Sequence, residues 1–146
     1  MIVRCLTTEM TPKQRSRLGA SFPAERAAKL TADESYLVLG LQYDVGSIIW
    51  GTGAWVQLSV EPDRVLFAPL YLFELIDSRP SRLWDTRLWE DGSVTLWPPS
   101  FYREYYHDDL AAGDPDVVDD FRQVLAELAE ESEVEPYKRR SSTLKF

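Results

Sequence analysis

Short runs of strand-forming residues, each closed by turn chemistry, fill the middle of this chain and leave it few folds to choose from. Residues 36–43 (YLVLGLQY) are rich in strand formers, and Asp44-Val45-Gly46-Ser47 reads as a turn. Residues 48–50 and 54–60 read as strands, with Gly51 and Gly53 marking a bend between them. Trp55, Gln57 and Ser59 alternate with Val56, Leu58 and Val60, the pattern of a half-buried strand. Glu61-Pro62-Asp63-Arg64 is a turn, residues 65–68 a strand, Pro69 a break, and residues 72–77 resume the strand. Another turn with Pro80 follows. Residues 83–89 and 94–97 then flank Glu90-Asp91-Gly92-Ser93, where Asp-Gly marks a hairpin. With no βαβ unit, an antiparallel sheet is expected rather than a doubly wound parallel one.

Helical signals lie at the two ends. Residues 2–6 read as a short strand. Thr11-Pro12 then has the form of an N-cap followed by Pro at the first helical position, and Gly19 can close a helix over about 12–18. Residues 20–34 are a polar connection. Pro98-Pro99 ends the sheet, and residues 100–110 form an aromatic, acidic short helix that Gly113 breaks. Asp114-Pro115 starts the longest helix. Val117, Val118, Phe121, Val124, Leu125 and Leu128 make one apolar stripe on it at helical period. The other face carries Asp116, Asp119, Asp120, Gln123, Glu127, Glu130 and Glu131.

Charge is concentrated rather than spread. Residues 1–103 hold 12 acids and 11 bases, residues 104–135 hold 12 acids against the single base Arg122, and residues 136–146 hold four bases and no acid. Glu130 and Glu131 stand at the wrong end of a helix to favour its dipole, so helix stability does not account for them. Such a field can steer a basic partner and raise its association rate. The net charge of −8 argues against a protein that grips nucleic acid. No apolar run approaches the ~20 residues of a membrane span, and no signal peptide opens the chain, so a cytoplasmic protein is expected.

Chemistry-bearing groups are few. The single cysteine, Cys5, excludes an internal disulfide and reads as a small buried hydrophobe. The single histidine sits in His107-Asp108-Asp109, the one candidate catalytic or metal cluster, and nothing in its spacing supports a metal site. Gly51-Thr52-Gly53 lacks the context of a phosphate loop. Neither a catalytic residue nor a metal or cofactor is therefore expected. Five tryptophans, Trp50, Trp55, Trp84, Trp89 and Trp97, lie on predicted strands. Most belong in the core, and Trp84, Trp89 and Tyr102 are the candidates for exposed binding anchors.

The segment from YLVLGL to FAPLYLFELID resembles an SH3-like small barrel. Those runs, a Trp-containing strand and YYHDDLAAGDP before a terminal amphipathic helix are together similar to a family of small acidic bacterial proteins. That family occurs near polymorphic or contact-dependent toxin genes and is taken to act in immunity. The resemblance covers roughly residues 35–130 and brings no catalytic residues with it. It implies a cytoplasmic immunity protein that occludes a toxin.

The expected fold is α+β in one domain, 1–146. An antiparallel SH3-like barrel or curled sheet (35–98) packs against an acidic helical segment (100–132), with an N-terminal strand and short helix (2–34) and a basic tail (133–146). The expected function is stoichiometric neutralisation of a basic toxin domain. Asp108, Asp109, Asp116, Asp119, Asp120 and Glu127 attract it, and the aromatic anchors hold it. The alternative is an adaptor module with an aromatic groove on the barrel. An enzyme would need a deep pocket joining His107 to carboxylates from elsewhere in the chain.

Overall fold

The computed structural model describes residues 1–134. The strands are β1 (Ile2–Cys5), β2 (Ser35–Ser47), β3 (Gly51–Leu58), β4 (Leu66–Pro69), β5 (Phe73–Asp77), β6 (Asp85–Leu88) and β7 (Val94–Trp97). The helices are α1 (Pro12–Leu18), α2 (Ala24–Ala27), α3 (Tyr106–Ala111) and α4 (Pro115–Glu131). All strand pairs are antiparallel, in the order β4-β3-β2-β1-β5, with β7 also beside β2 and β6 outside β7.

β2 organises this sheet. Its 13 residues are long enough to serve two partners along one edge, β1 at 35–37 and β7 at 41–43, while β3 follows the other edge. Among the described residues β4, β5 and β6 each have one neighbour, so the sheet is open. The α+β class with an antiparallel sheet against a C-terminal helix stands, but the sheet does not close into a barrel.

The turn after β2 lies later than its composition implies. Asp44 to Ser47 continue the strand through a register shift, and residues 48–50 form the turn instead of a strand. Nor is β3 half-buried. Trp55 through Ser59 are all buried, because Val56 and Leu58 enter one core while Gln57, on the opposite face, meets His107 of α3.

Helix α1 follows its sequence signals closely. Thr11 Oγ1 accepts from Gln14 N–H at 3.2 Å, Gln14 Oε1 accepts from Thr11 N–H at 2.9 Å, and Gly19 takes the left-handed conformation at φ 67°. Its one buried residue, Leu18, rests on β3. Two glycines there make room for it. A β-carbon on Gly51, whose φ is +68°, would come within 1.8 Å of Leu18 O, and one on Gly53 within 2.9 Å of Leu18 Cδ1.

Helix α4 buries the expected stripe. Asp114 caps it by accepting from the Asp116 and Val117 N–H groups at 3.0 and 3.3 Å. Val117, Phe121, Leu125 and Leu128 are buried with Phe101, Tyr106 and Leu110 against Leu37 and Leu39 of β2. Each fully buried side chain of this kind contributes roughly 1.5–3 kcal/mol before entropy, so this stripe fixes the helix. A second core holds Val3, Cys5, Leu18, Trp55, Leu58 and Trp84. Cys5 is fully buried there, and burial pushes its thiol pKa up. No helix among the described residues is long and apolar enough to cross a membrane. The basic tail, from residue 135 onward, lies outside the described residues.

Candidate binding surface

The acids predicted to face a partner divide into two groups. Asp108, Asp116, Asp119 and Glu127 are exposed, and the last three share one face of α4. Asp109 and Asp120 are committed within the molecule, Asp109 to Arg103 at 3.4 Å and Asp120 as acceptor of the Tyr106 hydroxyl at 2.7 Å. Arg122, the only base on the helix, is held by Asp63 through two bonds of 2.9 and 2.7 Å. It therefore offsets a charge on the β3–β4 connection rather than those on its own helix. The acidic face exists, but it is narrower than the sequence implied.

The predicted aromatic anchors also separate. Trp84 is not a surface anchor, because its ring is buried and its indole N–H donates to Leu39 O at 2.8 Å. Tyr102 is half-buried and works internally. Its hydroxyl donates to Asp85 O at 2.9 Å and bonds Thr95 Oγ1 at 2.8 Å. Its ring lies 4.9 Å from Trp97, with the Arg87 guanidinium carbon 3.8 Å from the ring centre. Trp89 alone of the three remains exposed, at 45%. Its indole N–H donates to Thr95 Oγ1 at 3.0 Å, which fixes the ring at the edge of the sheet.

Trp89 belongs to a larger feature that composition did not mark. Strand pairing puts Gln42 opposite Trp55 and Thr95, and Gln57 opposite Phe67. One face of the sheet thus collects the polar and aromatic residues of β2, β3, β4 and β7. On it lies a groove of about 300 Å³ walled by Trp50, Phe67, Trp89 and Trp97, with Gln42, Asp44 and Thr95 among its polar lining and Asp91 beside them. Asp44 is half-buried and accepts from Gln42 Nε2 at 2.8 Å. Burial pushes the Asp44 carboxyl pKa up; the Gln42 bond opposes this, and the nearby charge of Asp91 adds to it. Asp91 accepts from Ser93 N–H at 2.8 Å, which holds its own pKa below the usual carboxylate range. No cation among the described residues pairs with either carboxylate.

The groove opens where two chain reversals meet. Val45 N–H donates to Ser93 Oγ at 3.1 Å, which ties the end of β2 to the β6–β7 hairpin. Tyr43, Val45, Ile48, Ile49, Leu88 and Trp89 sit on these reversals, and they are six of the twelve exposed large hydrophobics among the described residues. Ile48 is fully exposed. Exposed apolar side chains on two reversals beside a concave aromatic site make this the candidate interaction surface. No known protein family, curated protein or solved structure matches the chain. The surface is therefore read from its geometry. Sequence reasoning found Trp89 but passed over Asp44, Asp91, Ile48 and Ile49 as turn or strand residues. The available signal was two bulky apolar residues, Ile48 and Ile49, placed between Gly46 and Gly51.

His107 stands at the other end of the same sheet face. Its Nε2–H donates to Gln57 Oε1 at 3.0 Å, and Phe101, Phe67 and Tyr106 surround the ring with centroids 5.2, 5.3 and 5.6 Å away. Burial lowers its pKa to about 4, against an opposing pull from Asp108. A smaller cavity of about 170 Å³ touches His107, Asp63 and Glu61. Those carboxylates are already paired, Asp63 with Arg122 and Glu61 with Lys29 at 2.8 Å. His107 is thus held neutral at pH 7 among aromatic rings. No group of three or more His, Cys, Asp or Glu side chains among the described residues is placed to hold a metal ion.

Proposed function

We propose that this chain is a non-catalytic binding protein that occludes a basic protein partner in the bacterial cytoplasm, in the manner of an immunity protein against a toxin domain. The observation that carries this reading is the set of exposed apolar side chains Ile48, Ile49, Leu88 and Trp89, carried on two reversals that flank an aromatic groove with two carboxylates in no ion pair of the described chain. Hot spots of binding energy concentrate where aromatic anchors are desolvated, and charge around them sets the encounter rate and the choice of partner. These side chains and the groove would hold the complex. The exposed acids Asp116, Asp119 and Glu127 on α4 would steer the approach.

Two measurements test the reading on the protein encoded beside this chain's gene. Co-expression should relieve the growth defect that protein causes, through a complex of fixed stoichiometry on size exclusion; persistent toxicity with both chains present would contradict immunity. Reversal of Asp116, Asp119 and Glu127 to Lys should lower the association rate by about tenfold at low salt and flatten its salt dependence. An unchanged association rate would remove α4 from the account. Asp120 is left intact in this variant because it accepts the Tyr106 hydroxyl.

The groove also suits the adaptor reading, in which an exposed peptide docks against the aromatic walls. An adaptor would bind without relieving toxicity, so the co-expression result separates the two.

A further inference from the structure

We propose that the groove between the β2–β3 turn and the β6–β7 hairpin is an arginine pocket, which takes a guanidinium group from the protein partner between its aromatic walls and pairs it with Asp44 and Asp91. This rests on the protein-binding reading and names the group that the partner inserts.

Three features of the groove select this ligand. Trp50, Phe67, Trp89 and Trp97 line it, and aromatic rings attract a cation, tryptophan most strongly. Its polar side carries two carboxylates that form no ion pair within the described chain, and the Asp44 carboxyl is half-buried, where an unpaired charge is costly. A bound cation offsets that cost, whereas an anionic or purely apolar ligand adds to it or leaves it. At about 300 Å³ the groove accommodates a side chain, not a folded element.

Guanidinium fits better than ammonium. It is planar, so it stacks on a ring face while its edge donates to a carboxylate, and it sheds water more readily than a compact ammonium. The same sheet supplies an internal example, since the Arg87 guanidinium carbon lies 3.8 Å from the Tyr102 ring centre. Arg87 stacks on Tyr102, one ring along from Trp97, and is not paired with Asp44 or Asp91.

The test uses N-acetyl-arginine methylamide, with the lysine and citrulline analogues alongside, titrated into the full chain while the tryptophan indole N–H signals are followed by NMR. The arginine compound should shift the Trp89 signal saturably and bind more tightly than the lysine compound, and the neutral citrulline isostere should produce no saturable shift. Asp44→Asn should weaken arginine binding by about tenfold, the scale of one desolvated charge contact. Asp91→Asn gives the second reading should Asp44→Asn not fold. Equal binding of citrulline, stronger binding of lysine, binding unaffected by either Asn variant, or no shift at Trp89 would each overturn the pocket. If the arginine compound fails while the toxic partner is still neutralised, the pocket falls and the binding reading stands. If arginine binds but toxicity persists, the pocket stands and immunity falls.

Discussion

Gly51→Ala should destabilise the fold by roughly 2–5 kcal/mol, seen as a lower urea midpoint with an unchanged slope. Two costs combine at this position. The backbone holds φ at +68°, which a side chain with a β-carbon tolerates poorly. The added carbon would also sit 1.8 Å from Leu18 O, far inside contact distance, so the end of α1 would have to move off β3. Leu18 is that helix's only buried residue, so its seat on β3 is the helix's main apolar anchor. The displacement would reach the candidate surface too, because residues 48–50 turn immediately before Gly51. A loss below about 1 kcal/mol would show that α1 is not seated on this glycine.

Lowering the pH from 7 to 4.5 should remove about 2–3 kcal/mol of stability through His107 alone. Its folded pKa of about 4 lies below the ordinary value of 6.5, so the unfolded chain binds the proton more readily. Stability from this group is fully present above about pH 6.5 and is lost as the pH falls towards 4. The carboxylates with depressed values act in a separate window. The Arg122 hydrogen bond lowers the pKa of Asp63 and the Arg79 hydrogen bond lowers that of Asp77, so their contributions are lost only below the ordinary carboxylate range, under about pH 4. Asp44 has the opposite sign, because its pKa is raised and protonation favours the folded state. His107→Gln replaces the titrating ring with a neutral group. Unfolding free energies of both proteins at pH 7 and 4.5 should differ in slope, the variant being nearly flat across that interval. An equal slope in both would mean that the ring is not held neutral by burial.

Local features of this fold could be read from sequence, and long-range ones could not. Thr11, Pro12 and Gly19 specify α1, Asp114 and the Val117-to-Leu128 stripe specify α4, and Asp91-Gly92 specifies the last hairpin. Each of these signals involves groups only a few residues apart. The turn after β2 was misplaced because Gly46, at φ 63°, serves a strand irregularity whose composition is that of a turn. Whether the sheet closes depends on pairing between strands far apart in sequence, here absent between β4, β5 and β6. The tryptophans posed the same problem. Trp84 is buried because its N–H reaches Leu39, 45 positions away, and nothing near it in sequence distinguishes it from exposed Trp89. The surroundings of His107 were equally out of reach of local signals, since its hydrogen-bond partner Gln57 lies 50 positions away. The groove's two carboxylates, Asp44 and Asp91, come together solely because β7 pairs with β2. The acids of α4 were legible, but the internal commitments of Asp109 and Asp120 were not.

Amide hydrogen exchange of the chain, alone and saturated with the basic protein partner proposed for it, tests most directly where such a partner docks. Protection should appear across residues 43–51 and 87–93, the two reversals that carry Ile48, Ile49, Leu88 and Trp89, with little change in the buried half of α4. Unaltered exchange at both reversals in a saturated complex would contradict this placement.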